Sequence, residues 1–231
     1  MKHLLCRVRL MVLLTVAVDP ALAQEQAATP GNGRAMAERL LAAMGGRDAW
    51  KGVAGLRVDA THHQTDQPAP YSNTIWNDFT RPRLRFEARN AQLHSIIEID
   101  GDTGWRQRDS GPQQPLTPER IADERAWWGS NIYRTLQRLA ADDPSLMLRA
   151  AQTDGLEIWE SETKRLNWFR LNPAGEPVLF GTGASDAGTV FGPLAEGPGG
   201  IRYPRWGASQ DGGFRYEITS VQMFARPPVV P

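Results

Sequence analysis

One cysteine, Cys6, stands among the 231 residues, and it precedes the apolar stretch 10–18. The segment holding it reads as an export signal that is cut away, so the remaining chain has no thiol. Disulfides, thiolate catalysis and cysteine-ligated zinc are thereby excluded. Lying before the apolar stretch rather than at the cut, Cys6 cannot serve as a lipidated cysteine either. Surplus positive charge is equally missing. The 26 Lys plus Arg are matched by 26 Asp plus Glu, which leaves nothing in reserve to grip a phosphate backbone and makes nucleic acid an unexpected partner. A mean hydropathy of −0.44 excludes a polytopic membrane protein.

What is present begins with Lys2, Arg7 and Arg9, followed by the apolar 10–18, Asp19-Pro20 and the small residues of Ala21-Leu22-Ala23. This order is that of a secretory signal peptide. Nine helical residues rise only about 14 Å, half the hydrocarbon thickness, so the segment does not span a bilayer. Residues 1–23 are expected to leave, with cleavage after Ala23 and a periplasmic destination. Lys2, Arg7, Arg9 and Asp19 go with them, and the remaining chain carries a net charge of −2. A chain of about 200 residues buries roughly 70% of its unfolded surface and needs no covalent staples.

Residues 24–33 are small and polar and read as a disordered leader, 34–225 as a single domain, and 226–231, with three prolines, as a loose tail. Met36, Leu40, Leu41 and Met44 recur at helical spacing ahead of Gly45-Gly46, which predicts an amphipathic helix over 34–44. From Leu56 the period changes to two. Leu56, Val58 and Ala60 alternate with Arg57, Asp59 and Thr61, a half-buried strand. Similar runs recur at 71–79, 83–89, 93–100, 104–108, 156–160, 164–171, 177–181, 201–206 and 214–224. Between them, 100–104 and 172–175 carry the glycine and aspartate or asparagine chemistry of tight turns, so neighbouring strands are expected to pair antiparallel. Thr117-Pro118-Glu119 opens a helical region in which Ile121, Trp128, Ile132, Leu136 and Leu139 share a face, broken into two helices at Gly129-Ser130. The expected fold is α+β: a curved, mainly antiparallel sheet, an open half-barrel of about ten strands, covered by helices on its concave face.

Catalytic and metal motifs are present only as fragments. Asp100-Gly101-Asp102 begins like a calcium loop, but Gly104 and Gly111 occupy positions that need carboxylates, so the stretch reads as a hairpin turn. Gly183-Ala184-Ser185-Asp186-Ala187 lacks the last glycine of a nucleophile elbow and a following helix. Gly181-Thr182-Gly183 starts a dinucleotide fingerprint that is not completed. His62 and His63, adjacent on a strand, point to opposite faces and cannot share a metal unaided. Glu160 and Glu162 share a side and offer a carboxylate pair for acid–base chemistry, with Glu157 as a neighbour. No cofactor is expected. Arg81, Arg83, Arg85 and Arg89 fall on one strand face with Glu87, opposite Leu84, Phe86 and Ala88, and offer a solvated outer face or a docking surface for an acidic partner or an anionic lipid head group. All eight tryptophans lie beyond residue 23, most on strands. Bulky side chains of this kind seldom bury completely and often line ligand cavities.

Three stretches carry a family resemblance. Trp76 with Arg81-Pro82-Arg83-Leu84-Arg85-Phe86, the turn Asp100-Gly101-Asp102-Thr103-Gly104-Trp105, and the closing Gly200-Ile201-Arg202-Tyr203-Pro204 with 213–221 are similar to the periplasmic lipoprotein-carrier fold of LolA and LolB. The resemblance covers about 34–224, with 181–200 unmatched. It implies an unclosed antiparallel barrel around a hydrophobic cavity that shelters acyl chains, and a non-enzymatic carrier of lipid, acyl chain or lipoprotein, with an envelope protein as a further partner. Trp76, Leu84, Phe86, Trp105, Trp168 and Phe180 are the wall candidates. Arg81, Arg83 and Arg85 are the docking candidates, and the helices at 36–44 and 121–139 are candidate lids. Burial of each CH₂ contributes about 0.8 kcal/mol, so a dozen methylenes gain roughly 10 kcal/mol without any polar contact. Two other readings compete: an envelope hydrolase using Glu160 and Glu162 in a cleft, and an interaction module using the Arg81, Arg83 and Arg85 face or a sheet edge.

Overall fold

The computed structural model describes residues 30–152 and 154–229. The export signal, 24–29 of the leader, and 230–231 lie outside the described residues. The chain opens with helices α1 (Pro30–Ala43) and α2 (Arg47–Lys51), then strands β1 (Gly55–Gln64), β2 (Tyr71–Asp78), β3 (Arg83–Arg89), β4 (His94–Asp100), β5 (Thr103–Arg108) and β6 (Gln114–Pro115). Helices α3 (Pro118–Gly129) and α4 (Ile132–Ala140) follow, then β7 (Met147–Ala151), β8 (Gly155–Ser161), β9 (Lys164–Leu171), β10 (Pro177–Thr182) and β11 (Thr189–Phe191). Strands β12 (Leu194–Glu196), β13 (Arg202–Pro204), β14 (Trp206–Ser209) and β15 (Phe214–Phe224) complete the order.

Thirteen strands make one curved sheet in the order β6-β5-β4-β3-β2-β1-β15-β14-β11-β10-β9-β8-β7, while β12 and β13 pair separately. The fold is therefore α+β with an unclosed antiparallel sheet. Its spine is β1 against β15, in register from Gly55 opposite Phe224 to Gln64 opposite Phe214, with a bulge at Asp59/Ala60. Further irregularities interrupt the β8–β9 and β9–β10 pairings. Such bulges bend a strand and increase its twist, which curves the sheet. The turn at 100–104 joins β4 to β5 as a hairpin, with Asp100 opposite Thr103. Strand β7 escapes a sequence reading because Met147 to Ala151 has no alternation. The unmatched stretch 181–200 supplies the short β11 and β12.

Helix α1 starts at Pro30, four residues before the expected 34, so residues 30–33 of the expected disordered leader are helical; proline is compatible with a first turn. Gly33 then lets α1 lie directly on β7, since a Cβ there would meet the Leu148 carbonyl oxygen at 2.5 Å. Helix α3 is capped as its sequence predicts, with Thr117 accepting from the Arg120 amide. Asn131 caps α4 by accepting from the amides of Tyr133 and Arg134. In the C-terminal tail Pro228 is buried and packs on Gly55.

The concave face carries two cores. The larger joins Leu40 and Leu41 of α1, Met44 just beyond it, Trp50 of α2, Leu136 and Leu139 of α4, and Leu156, Ile158 and Phe169 of the sheet. Trp50 stacks on Tyr133, centroids 5.9 Å apart, and donates its indole N–H to the Met44 carbonyl. The apolar face of α1, Met36, Ala37, Leu40 and Leu41, is built into this core, and its other face is exposed, so α1 is fixed packing and not the lid expected from its sequence. The smaller core is Leu84, Ile99 and Trp128, with Phe86 and Leu116 against it. Between the two cores the α3–α4 junction crosses the sheet without filling the space beneath it.

Candidate functional site

That unfilled space is a cavity of about 300 Å³. Strand alternation builds one wall. Val58, Ala60 and His62 of β1, Asn73, Ile75 and Asn77 of β2, and Phe214, Tyr216 and Ile218 of β15 each occupy every second position and face it. Phe86 of β3, Phe180 of β10 and Phe191 of β11 extend the wall to either side. The roof is the helix junction: Trp127 at the end of α3, Ser130 and Asn131 in the break, and Ile132 and Tyr133 opening α4. Trp127 and Trp128 diverge at this point. Trp128 turns down into the smaller core and donates its indole N–H to the Asp78 carbonyl at 2.6 Å, while Trp127, 38% exposed, stays at the cavity rim.

Aromatic rings dominate both ends. At one, His62 touches Tyr71, Phe214 and Tyr216 with centroid separations of 5.2, 5.1 and 5.8 Å. At the other, Phe180 lies between Phe169 at 5.1 Å and Phe191 at 5.9 Å. Among the described residues no Asp, Glu, Lys or Arg is in the lining. Its titratable groups are held neutral. Burial, with a smaller repulsion from His63, lowers the His62 pKa to about 4. Burial likewise pushes the Tyr133 and Tyr216 hydroxyls up from their usual range. The roof is pinned by a buried polar pair, in which Thr135 donates to Asn167 Oδ1 at 2.7 Å and the Asn167 amide donates to the Ser130 carbonyl at 2.7 Å.

Of the six wall candidates from the sequence, Phe86 and Phe180 face the cavity. Leu84 lies on the same sheet face but is wholly buried in the smaller core. Trp76 and Trp105 are on the opposite, convex face. There Arg57 and Arg85 flank the Trp76 ring at 5.2 and 5.8 Å, and Arg85 also lies over Trp105 at 5.7 Å. The reason is parity: Trp76 is opposite Arg85 in register, whereas Ile75 is opposite Phe86. Trp168 is also turned outward, paired with Gly181 and donating to the Ser185 carbonyl at 2.8 Å. Tyr216, Phe214, Tyr133, Phe191, Trp127, Asn73 and Asn77 were missed. Only the period-two run Phe214, Tyr216, Ile218 signals itself in the sequence.

The three docking arginines do share the convex face, and each is already paired. Arg81 meets Asp78 and Asp100, Arg83 meets Glu98 and Asp100, and Arg85 meets Glu87 and Glu98 at 3.4 and 3.2 Å. A self-neutralised ladder of this kind leaves little field for an acidic partner. The sheet has two edges: β6 is two residues long and ends in Pro115, which lacks an N–H, while β7, five residues long, has α1 packed on its Leu148–Arg149 backbone at Gly33. The carboxylate pair does not converge. Glu160 is clamped by Arg138 at 2.8 Å and Lys164 at 2.7 Å, and Glu162, 79% exposed, pairs with Arg149. Burial raises the Glu160 pKa, but the Lys164 and Arg138 contacts outweigh it and hold the group below its usual range. Among the described residues no group of three His, Cys, Asp or Glu is placed to hold a metal ion. Nor is any described helix long and apolar enough to cross a membrane.

No protein-family model matches this chain, and no curated protein does. Solved structures similar to it include a DUF1329 family protein from Desulfovibrio piger, 10% identical over 87% of this chain and 94% of that one, at a TM-score of 0.39. A LolA superfamily protein from Nitrosomonas europaea is 10% identical over 84% of this chain and 94% of that one, at a TM-score of 0.38. The MucA/MucB complex of Pseudomonas aeruginosa is similar at 12% identity over 85% of this chain and 59% of that one, with a TM-score of 0.24.

Proposed function

We propose that this chain is a periplasmic binding or carrier protein that shelters the apolar part of a lipid, acyl chain or acylated protein in the cavity beneath the α3–α4 junction. The observation that carries this reading is an aromatic-walled cavity without a charged side chain, bounded by two packed cores. Its volume of about 300 Å³ falls at the lower end of the roughly 300–1,000 Å³ usual for ligand sites. An apolar cavity of about 150 Å³ suffices for a benzene ring. An occupant of about ten carbons therefore fits better than a long lipid tail.

The energetics suit a carrier. Ten methylenes taken from water contribute about 8 kcal/mol, against an association cost of about 4 kcal/mol or more. Binding that results is strong enough to hold and weak enough to release. Release needs an opening at the rim, and there Trp127, 38% exposed, is the roof side chain free to swing, while Asn167 and Trp128 hold the junction itself in place. The signal-peptide features of residues 1–23 support export. No reaction is assigned.

Native mass spectrometry of the protein purified from its own envelope tests this reading. The expected spectrum contains a 1:1 adduct whose mass is that of a small apolar molecule, lost on mild activation. A bare protein that also gains no adduct after incubation with medium-chain alkyl compounds would overturn it.

A further inference from the structure

Two amide oxygens of residues in the cavity wall have no hydrogen-bond partner among the described residues. Asn73 and Asn77 are 9% and 1% exposed, both line the cavity, and in each the Oδ1 atom is buried without a hydrogen-bond partner. They stand on β2 with Ile75 between them, four residues apart, which on a strand is about 13 Å. The Asn73 amide nitrogen is occupied, 3.4 Å from His62 Nε2. A buried acceptor left unpaired is rare and costly in a folded protein, and one facing an internal space is matched by whatever fills that space. Here two such acceptors belong to residues that line the same cavity, each oxygen sealed within the wall, so that a small turn of its side chain is needed to present it to an occupant.

The rest of the lining narrows the partner. With no Lys or Arg in the wall, a carboxylate or phosphate head brought inside would lose its hydration without gaining a counter-ion, and would turn its own lone pairs toward two amide oxygens. An ammonium head would find acceptors but no anion to neutralise it. A pure hydrocarbon would fill the space and leave both oxygens as they are. Only an uncharged donor satisfies every wall at once. Resting on the cavity reading above, we propose that the natural occupant is a neutral amphiphile, a compact alkyl or ring body whose hydroxyl or amide N–H groups are accepted by Asn73 and Asn77, and not a fatty-acid anion.

The choice of probes makes this measurable. 1-Decanol, decanoate and decane share a ten-carbon body and differ only in the head. Each is titrated at pH 8 into the full exported chain, followed by intrinsic tryptophan emission and calorimetry. The expected result is that decanol binds about tenfold or more tighter than either decanoate or decane. Replacing both amides, N73L with N77L, should cut that preference to about twofold while decane binding holds or improves. The wild-type comparison stands on its own if the double variant does not fold. Decanoate binding as tightly as decanol, or decanol binding no better than decane, would overturn the proposal while leaving the cavity as an apolar site. Failure of all three probes to bind would overturn the cavity reading itself.

Discussion

Phe86 of β3 and Trp127 of α3 meet edge to face with their ring centroids 4.8 Å apart, and this contact joins the sheet to the roof at the rim of the cavity. Edge-to-face pairs of this kind contribute about 0.5–1.5 kcal/mol beyond their buried area. Trp127→Ala should therefore speed dissociation of a bound alkyl probe by about two- to tenfold. Because Trp127 is only 38% exposed and the contact lies within the protein, the urea midpoint should fall as well, by at least the value of that pair. Stopped-flow displacement measures the rate, and an unchanged off-rate would remove Trp127 from the exit path.

Two aromatic residues on adjacent strands should respond oppositely. Phe180 stacks between Phe169 and Phe191 inside the cavity, while Trp168 faces outward over Gly181. Phe180→Ala should weaken alkyl binding by about 2 kcal/mol through lost contact area. Trp168→Leu should leave affinity unchanged while lowering stability. Calorimetry on both variants distinguishes them, and a Trp168 variant with weakened binding would contradict the assigned faces.

The Thr135–Asn167–Ser130 chain of hydrogen bonds fixes the roof to β9. Thr135 and Asn167 are fully buried, so Asn167→Leu strands the Thr135 hydroxyl and the Ser130 carbonyl and should cost about 1–3 kcal/mol. Adding Thr135→Val removes one of the orphans and should recover part of the loss. A double-mutant cycle in urea reads the coupling; additive effects would show that the two side chains act independently.

His62 imposes a pH dependence whose sign follows from its burial. Its folded pKa of about 4 lies below the ordinary 6.5, so between these values the unfolded chain binds a proton that the folded chain does not. Stability contributed by the neutral ring is complete above pH 6.5 and is lost as pH falls toward 4. The loss is on the order of 3 kcal/mol. His62→Gln should flatten the fall in urea midpoint between pH 7 and 4.5 relative to the parent. Parallel curves would place His62 in a more hydrated setting than its aromatic neighbours provide.

Much of this architecture was legible in the sequence because it depends on local periodicity. The alternation at Leu56, Val58 and Ala60, the Thr117-Pro118-Glu119 helix start, the Gly129-Ser130 break and the 100–104 hairpin all reappear in the structure. The face of each tryptophan was not legible. Which parity of a strand points inward depends on register with its neighbour, and a large ring on the wet face can still bury itself under arginine side chains, as Trp76 does beneath Arg57 and Arg85. Asn73 and Asn77 gave no signal either. Polar residues at alternating strand positions read as a solvated face, and only the three-dimensional path of β2 sets them against Phe86 and Trp127.

The most direct test is a crystal of the exported chain soaked with 1-bromodecane or 10-bromodecanol, with bromine located by its anomalous scattering. One bromine site enclosed by Phe86, Tyr133, Phe180 and Tyr216 is the expected result. Side chains closing that space, with bromine found only on the outer surface, would contradict it.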